Sequence, residues 1–494
     1  MITPQASFAL IVLVLLGYFS IKILIPPLNF PRNIPTIPFY VIFLPTILKI
    51  DQVELFELYL KEPLEKYGAV KIFFGSRWNI LVSRPEFLVQ VFRNDSPFAK
   101  SGNQKKIPYS VIAAYTGDNI ISAHGVVWKT YRGVMTPGLQ HFDKMPLQKN
   151  AVLFCNLVAK MVVNNGGKRN AISVGPLLQR LALDNVSQVL LGFDFGTLTQ
   201  EKVPLHDHLL QIKRQIFSPF FLTFPFFDRL YLPTRMKAFK DVGNFRRLLV
   251  EKVQERLVDT NQFESTKFVS SDLIRAHNDK ILDYKQLTDN IVILLVAGHE
   301  NPQLLLTTLF YLLALYPETW QKQIWEETRQ ISDIKQLDEL PLLNSFIFEG
   351  VRFYPPLNII VNRKTTRTCR IGRDIVIPKG AYVGYINYAT SHSKRSWGES
   401  ADAFDPRRWG DDIGSIMKKW KLSKASCTTA SFHGGNRACL GEKLALIEMR
   451  VTLAEVLKRF KLRLPRNKPI KMTPAGPLCP FNLELEFIER EKVQ

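Results

Sequence analysis

The chain has 494 residues, of which 46% are apolar, and its 65 lysines and arginines against 44 aspartates and glutamates give a formal net charge of +21. No low-complexity tract or internal repeat is present, which excludes a disordered or repetitive protein and leaves one large fold or two closely packed domains. The basic residues are dispersed and match no nucleic-acid-binding motif, so we expect anionic lipid or an acidic protein, and no nucleic acid, as partner.

The first predicted element is a transmembrane anchor over residues 1–25. The stretch Ser7–Ile21 (SFALIVLVLLGYFSI) carries no charge, and about 20 apolar residues span a bilayer core. A cleavable signal peptide is the alternative, but a basic start and a small-residue cleavage site are both missing. Lys22 and Arg32 follow the run and nothing basic precedes it, which predicts that the body of the chain faces the cytosol.

Residues 26–40, PPLNFPRNIPTIPFY, contain five prolines. Prolines stop the helix and favour extended backbone, so we predict a stiff hinge that holds the following domain near the membrane. An ordinary proline-rich linker is the alternative. Both interpretations begin the main domain, residues 41–494, at the same place.

A long helix is predicted from an N-cap at Asp283 to Leu315, about 50 Å at 1.5 Å per residue. Its apolar residues run almost all round, which is typical of a buried helix. A second membrane span is the alternative. His299 and Glu300 lie at its centre, where a bilayer disfavours polar groups, so we favour a core helix.

The segment AGHENP interrupts this helix with polar and small residues. Ala297 and Asn301 lie four apart on one face. Pro302 has no N–H, so the Gly298 carbonyl loses its helical partner, and Glu300 adds a carboxylate. The segment forms either a notch for water or a diatomic ligand, or a simple proline kink, and by itself it leaves both open.

Two motifs predict paired side chains. In WKTYR, Trp128 and Arg132 share a helical face. The default interpretation of this pair is a core aromatic residue beside a surface arginine. In FEGVRFYPP, Glu349 and Arg352 lie three apart among apolar residues, which indicates burial. A buried carboxylate needs more than one donor, and Arg408 of FDPRRW is a second guanidinium.

The most specific motif is FHGGNRACLG, with the pattern F-x-x-G-x-R-x-C-x-G at Phe432, Gly435, Arg437, Cys439 and Gly441. A helical apolar period follows it, so the cysteine lies at a helix N-terminus, where free N–H groups favour a thiolate. A thiolate beside arginines suits a haem, with iron on sulfur and propionates on the guanidinium groups. An inert core thiol is the alternative.

Together, and in this order, these motifs resemble the haem-thiolate monooxygenases of the cytochrome P450 family. The resemblance implies a mainly α fold with a smaller β part, an N-terminal transmembrane helix, and a single-pass protein of the endoplasmic reticulum membrane with its catalytic domain in the cytosol. It implies haem b, Cys439 as the iron ligand, and electrons from NADPH through a separate flavoprotein reductase. The implied haem-contacting residues are Trp128, Arg132, Ala297, Gly298, Arg363, Phe432, Arg437, Cys439 and Gly441. Glu349, Arg352 and Arg408 become a structural triad that supports the thiolate loop.

Glu300 and Asn301 take the catalytic positions in this resemblance, with one departure. Family members usually carry threonine at the position of Asn301, and that hydroxyl helps to deliver protons. Asn301 has an amide instead, which puts hydroxylation by the usual proton route in doubt. Glu300 remains, and the amide can still hold a water molecule.

A narrower resemblance concerns the substrate. FPRNIPTIPFY and LVAGHENPQLLL look like the yeast sporulation enzymes of this family that couple N-formyltyrosine into bisformyl dityrosine for the spore wall. Phenol coupling needs no oxygen insertion, which is compatible with Asn301. A hydroxylase of lipid or sterol substrates and a haem-binding protein without turnover stay open as alternatives.

By the same resemblance, substrate contacts come from Tyr109–Ile121, the helix around Ala297, Leu357–Asn362 and Pro477–Phe481, with a pocket Arg, Lys or His for a substrate carboxylate. Six phenylalanines lie between Phe217 and Phe227. They either contact the membrane surface or form part of the apolar core. A basic surface for an acidic reductase is predicted, with a solvated charge run as the alternative. Its residues are Lys418, Lys419, Lys421, Lys424 and Lys443.

Overall fold

A computed structural model describes residues 4–164, 171–259, 268–465 and 469–491. The fold is mainly helical with a smaller strand part, as predicted. The helices are α1 Pro4–Leu24, α2 Leu44–Leu48, α3 Gln52–Leu55, α4 Lys61–Tyr67, α5 Pro85–Arg93, α6 Asn103–Lys106, α7 Val111–Thr116, α8 Gly125–Gln140, α9 Met145–Asn164, α10 Val174–Val186, α11 Pro204–Ile216, α12 Pro219–Thr223, α13 Pro233–Asp259, α14 Val269–Asn278, α15 Tyr284–Leu315, α16 Lys322–Thr328, α17 Pro341–Phe353, α18 Asn387–Ser391, α19 Lys394–Trp397, α20 Ile413–Ala425 and α21 Glu442–Arg459. The strands are β1 Ala69–Phe73, β2 Trp78–Val82, β3 Phe98–Lys100, β4 Ala171–Ser173, β5 Ile359–Thr365, β6 Cys369–Ile371, β7 Ile375–Ile377, β8 Tyr382–Ile386, β9 Phe460–Arg463 and β10 Glu484–Glu489.

The largest sheet has the order β1-β2-β8-β5-β3. Only the β2–β8 pair within it is parallel, and the other three pairs are antiparallel. The register of β5 against β8 shifts between Val361 and Arg363. The strands β4-β10-β9 form a second sheet, and β6-β7 form a two-stranded ribbon.

Helix α15 forms the centre of the helical core, as predicted. Its N-terminus is a capping box, in which the Asp283 carboxylate accepts from the Gln286 N–H at 2.7 Å and the Gln286 side chain accepts from the Asp283 N–H at 2.9 Å. The helix packs against α10, α13, α14, α17 and α21, and most of its apolar side chains are buried. Burial by protein on every side satisfies a helix that is apolar all round, so it is a core helix, as favoured over a membrane span.

The predicted hinge packs against the largest sheet. Phe30, Ile34 and Ile37 are buried in the sheet's hydrophobic clusters. The backbone N–H of Ile37 donates to the Lys71 carbonyl at 2.8 Å, and the Lys71 N–H donates to the Pro35 carbonyl at 2.9 Å. The packed part of the chain therefore begins before the boundary predicted at residue 41.

The N-terminal segment forms helix α1. Within the residues described here, no helix is long and apolar enough to cross a membrane. The anchor predicted over residues 1–25 includes positions outside the described residues, and it stays a prediction.

Candidate active site

A cavity of about 360 Å3 lies between α8, α15, β5 and the loop that precedes α21. Of the residues predicted to contact a haem, all but Arg363 line it: Trp128, Arg132, Ala297, Gly298, Phe432, Arg437, Cys439 and Gly441. Asn301 lines it as well, whereas Glu300 does not. The structure therefore brings together segments more than 300 residues apart in sequence.

The Cys439 thiol opens onto this cavity at the N-terminus of α21. The backbone N–H groups of Gly441 and Glu442 donate to its sulfur and lower its pKa, as a helix N-terminus should. Burial acts more strongly in the opposite direction and raises the pKa of the Cys439 thiol to about 11. The helix N-terminus therefore favours the thiolate, as predicted, although it does not offset burial, and a bound iron cation would favour the thiolate further.

The predicted Trp128 and Arg132 lie on one face of α8 and flank the loop of Cys439. The Arg437 guanidinium carbon lies 3.9 Å from the centre of the Trp128 ring, a cation–π contact that fixes both side chains. Arg132 donates to the Ala438 carbonyl at 3.4 Å. Trp128 packs against the core, as the default interpretation has it, but Arg132 is half-buried, and both side chains line the cavity.

Lys100 and His433 belong to the same group of side chains and were missed from the sequence. Lys100 lies on β3 directly opposite Arg363 of β5, and its Nζ is 3.1 Å from the His433 Nε2. Burial first, and then the charges of Arg363 and Arg437, hold the pKa of the Lys100 ammonium well below its usual value. Only the pairing of two strands far apart in sequence reveals Lys100, and no local pattern signals it.

Arg363 lies beside this group, with Asp95 as its partner. Its Nη1 donates to Asp95 at 2.5 Å and to the Phe98 carbonyl at 2.9 Å. Its Nε and Nη2 are buried and find no hydrogen-bond partner among the described residues. Arg437 also pairs with Asp95, at 3.3 Å, and its Nη1 is likewise buried without a partner in that part of the chain.

These side chains fit the propionate end of a haem. Of the four cations Lys100, Arg132, Arg363 and Arg437, the last two pair with the carboxylate of Asp95, whereas Lys100 contacts His433 and Arg132 donates to a backbone carbonyl. Burial of the charged form costs free energy unless an anion compensates it, and burial lowers the pKa of Arg437 to about 10. Two carboxylates would supply the missing charge and hydrogen-bond acceptors. Apolar walls suit the macrocycle, and they include Ile293, Leu294, Leu305, Leu357, Ile360 and Leu444.

The predicted notch on α15 is built from small side chains and one amide. The Asn301 Nδ2 lies 3.5 Å from the Ala297 carbonyl, one helical turn earlier, so the amide stays on the cavity face. A Cβ on Gly298 would lie 2.4 Å from the Val186 Cγ2 of α10. Close packing of two helices is therefore one reason for glycine at this position.

Glu300 turns away from the cavity. Its Oε1 lies 3.0 Å from the Nζ of Lys213 on α11 and 4.0 Å from the Nε2 of His299. His299 is fully buried, and burial lowers its pKa to about 4. In this conformation Glu300 is part of an ion pair between two helices and does not contact the Cys439 cavity.

The Glu349 carboxylate is the centre of a buried network on the Cys439 side of the fold. Its oxygens accept from Arg352 Nε and Nη2 at 2.8 Å each and from Arg408 Nε at 2.8 Å. The Asp405 N–H and the Trp409 indole N–H complete the set at 3.0 and 3.1 Å. Glu349 and Arg352 are fully buried. The predicted triad is confirmed, and it ties α17 to the segment that leads to α20.

The predicted substrate segments contribute unequally. The first provides Ile120 and Ile121, and the third provides Leu357, Ile360 and Asn362. Pro477–Phe481 does not line the cavity. In the phenylalanine-rich segment, Phe217, Phe220 and Phe226 are exposed.

The predicted basic surface is partly engaged within the protein. Lys424 pairs with Glu442, Lys419 donates to the Arg408 carbonyl, and Lys443 donates to the Gln140 carbonyl. Lys418 and Lys421 are exposed on α20. This leaves Lys418 and Lys421 as the side chains most available to an acidic partner.

Comparison with known proteins supports one family. The cytochrome P450 family model matches residues 35–483. Cytochrome P450-DIT2 of Saccharomyces cerevisiae is 61% identical over 480 residues, covering 97% of this chain and 98% of that protein. Cytochrome P450 monooxygenase xanG of Aspergillus fumigatus is 34% identical over 90% of this chain and 85% of its own length. A cytokinin hydroxylase of Arabidopsis thaliana is 26% identical over 72% of this chain and 68% of its own.

Proposed function

Because the chain belongs to the cytochrome P450 family and is a haem-thiolate monooxygenase, we propose that it couples two molecules of N-formyltyrosine oxidatively into N,N'-bisformyl dityrosine for spore wall maturation. The high identity to cytochrome P450-DIT2 across nearly the whole chain is the observation that carries the proposal. The two sequence stretches that resemble the dityrosine-forming sporulation enzymes support it. The amide of Asn301, at the position where the family usually has a hydroxyl, supports it as well.

Cys439 would hold the haem through its iron, and Trp128, Arg132 and Arg437 would hold its propionates, with Lys100 and Arg363 supplying further positive charge. When bound, it supplies one-electron oxidation of phenol groups with O2 as the final oxidant. The protein orients the phenol against the apolar walls and excludes water from them. This walled site favours radical recombination between two substrate molecules over escape into solvent.

The stoichiometry is that of an oxidase. Two N-formyltyrosines, one O2, one NADPH and one proton give one bisformyl dityrosine, two water molecules and NADP+. One aryl C–C bond forms as two aryl C–H bonds break, and no oxygen enters the product. A phenolic O–H is weaker than an alkyl C–H, so this reaction tolerates a site in which Asn301 delivers protons less well than a hydroxyl.

Electron supply and location complete the proposal. Electrons come from NADPH through a separate flavoprotein reductase, which binds the basic surface around Lys418 and Lys421 by charge complementarity. The enzyme is anchored in the endoplasmic reticulum membrane by residues 1–25, with the catalytic domain in the cytosol. Exposed apolar side chains on α1 and between Phe217 and Phe227 support contact with lipid.

A product assay tests the function. Full-length protein in membranes is given reductase, NADPH, O2 and N-formyltyrosine, and in a parallel reaction a fatty acid. Mass spectrometry should find a product with two hydrogens fewer than two substrate molecules. Hydroxylated fatty acid without coupled tyrosine would identify a lipid hydroxylase instead. NADPH consumption that never rises with either compound would indicate a haem-binding protein without turnover.

The residue at position 301 gives a second readout. Asn301→Thr restores the family hydroxyl, and under this proposal it does not improve coupling and raises the share of oxygen-containing products. A large gain in coupling by Asn301→Thr would show that proton delivery, and not phenol oxidation, limits the reaction.

A further inference from the structure

We propose that Lys106, with Arg77 behind it, binds the carboxylate of the N-formyltyrosine substrate at the edge of the cavity. This assignment rests on the proposed function and adds a residue that determines specificity for the free acid. It also identifies the cationic partner that a tyrosine-derived substrate requires.

Lys106 is a half-buried cation, and it has no counterion among the described residues. It ends α6, and its Nζ donates to the Val361 carbonyl at 2.7 Å. No carboxylate lies within ion-pair distance of it in the described ranges. An ammonium group has three donors, so two remain available for a ligand. Burial, and then the charge of Arg77, lowers the pKa of the Lys106 ammonium to about 8.

The position of Lys106 links it to the cavity. Val361, which accepts its hydrogen bond, lies where the register of β5 shifts. The next residue, Asn362, lines the cavity, and its Oδ1 is buried without a partner among the described residues. Lys106 is not itself among the lining residues, and the hydrogen bond to the residue before Asn362 places its ammonium at the cavity's edge.

Arg77 adds to the positive charge. Its Nη2 donates to the Lys106 carbonyl at 2.9 Å, and its guanidinium lies 4.7 Å from the Tyr382 ring centre. The exposed Lys364 lies over the same ring at 5.4 Å. Within the part of the chain that the structure describes, none of these three cations forms an ion pair with a carboxylate. An anion fits here better than an apolar or cationic group.

The chemistry of an N-formyl amino acid matches this arrangement. Its carboxylate accepts from the ammonium of Lys106, in a charge-assisted hydrogen bond. Its formamide nitrogen is bonded to the same carbon as the carboxylate, and the N–H donates to the unpaired Asn362 Oδ1. The phenol is then free to extend among the apolar walls. The second basic group, around Arg437, is a poor alternative because the haem propionates would occupy it.

The test is a spectroscopic binding titration of full-length haem protein in which chain and ligand are both varied. The variants are Lys106→Met, Lys106→Arg and, as a matched control, Lys105→Met at the exposed neighbour. The ligands are N-formyltyrosine and N-formyltyramine, which lacks only the carboxylate. Haem content confirms that each variant folds.

Lys106→Met should raise the Kd of N-formyltyrosine about tenfold or more, the effect of losing one charge-assisted contact. The Kd of N-formyltyramine should not change, Lys106→Arg should restore most of the affinity, and Lys105→Met should bind like wild type. Equal losses of affinity for both ligands, or no loss for either, would overturn the assignment of Lys106. The proposed function would stand in that case if wild type still couples N-formyltyrosine. If wild type neither binds nor couples N-formyltyrosine, the proposed function is wrong and this assignment falls with it.

Discussion

Replacing Glu349 by glutamine tests whether the buried network is structural. The change keeps the side chain's shape and removes its charge. Five donors point at the carboxylate, and an amide can accept on only one of its two polar atoms. In the variant Arg352 keeps the Ser391 and Ala401 carbonyls as acceptors, at 2.6 and 2.9 Å. The free energies of the individual hydrogen bonds to Glu349 therefore cannot be summed. We therefore expect the loss typical of breaking one buried ion-pair network, about 3–5 kcal/mol.

The assay is urea unfolding followed by haem absorbance and by circular dichroism, with haem content measured on the same samples. Glu349→Gln should lower the unfolding midpoint and lose haem, because the network ties α17 to the segment before the Cys439 loop. The matched control is Glu399→Gln in the same region, since Glu399 is 88% exposed beside Lys394 and exposed pairs contribute little. A Glu349→Gln protein with full haem content, an unchanged midpoint and lost turnover would refute the structural role and make Glu349 a catalytic group.

Three further outcomes are expected. Gly298→Ala should destabilise the protein by about 1–3 kcal/mol through overpacking. Val186→Ala in the same chain should recover most of this loss in urea unfolding, because the added Cβ would lie 2.4 Å from the Val186 Cγ2. No recovery would contradict that clash. Burial raises the pKa of Glu448 to about 8 from a usual 4.5, so the folded state holds a proton that the unfolded state has lost, and unfolding free energy should fall as pH rises from 4.5 to 8. Glu448→Gln should flatten that slope, and an unchanged slope would exclude this carboxyl as its source. Charge reversal by Lys418→Glu with Lys421→Glu should raise the KM for the reductase and remove the rise of KM with salt that wild type shows, because salt screens the attraction that these lysines provide. Lys252→Glu on α13 should change neither, and equal turnover at low and high salt in all three proteins would indicate a solvated charge run.

The parts of the site that lie within one short segment were predictable. The Asp283 cap, the extent of α15 and the position of Cys439 at a helix N-terminus follow from spacing and side-chain chemistry over a few residues. The Glu349 network was predictable for a different reason. A carboxylate among apolar residues must find several donors, and the nearby motifs contain few guanidinium groups.

The parts that depend on tertiary contacts were not predictable. Lys100 reaches Arg363 only because β3 and β5 pair across more than 260 residues. Glu300 of α15 meets Lys213 of α11 only in the folded protein, and nothing in either helix's own pattern shows this. Phe30 and Ile34 look like part of a linker until the sheet that buries them is known.

Ligation of haem iron by the Cys439 thiolate is the central claim, because the cofactor, the reaction and the orientation of the substrate all depend on it. The most direct measurement is the absorption spectrum of the reduced carbon monoxide adduct in wild type, Cys439→Ser and the control Cys369→Ser, whose thiol lies outside the cavity on β6. Wild type and Cys369→Ser should show the red-shifted Soret band of thiolate-ligated haem, and Cys439→Ser should lose it. A Cys439→Ser protein that keeps this band would contradict the account.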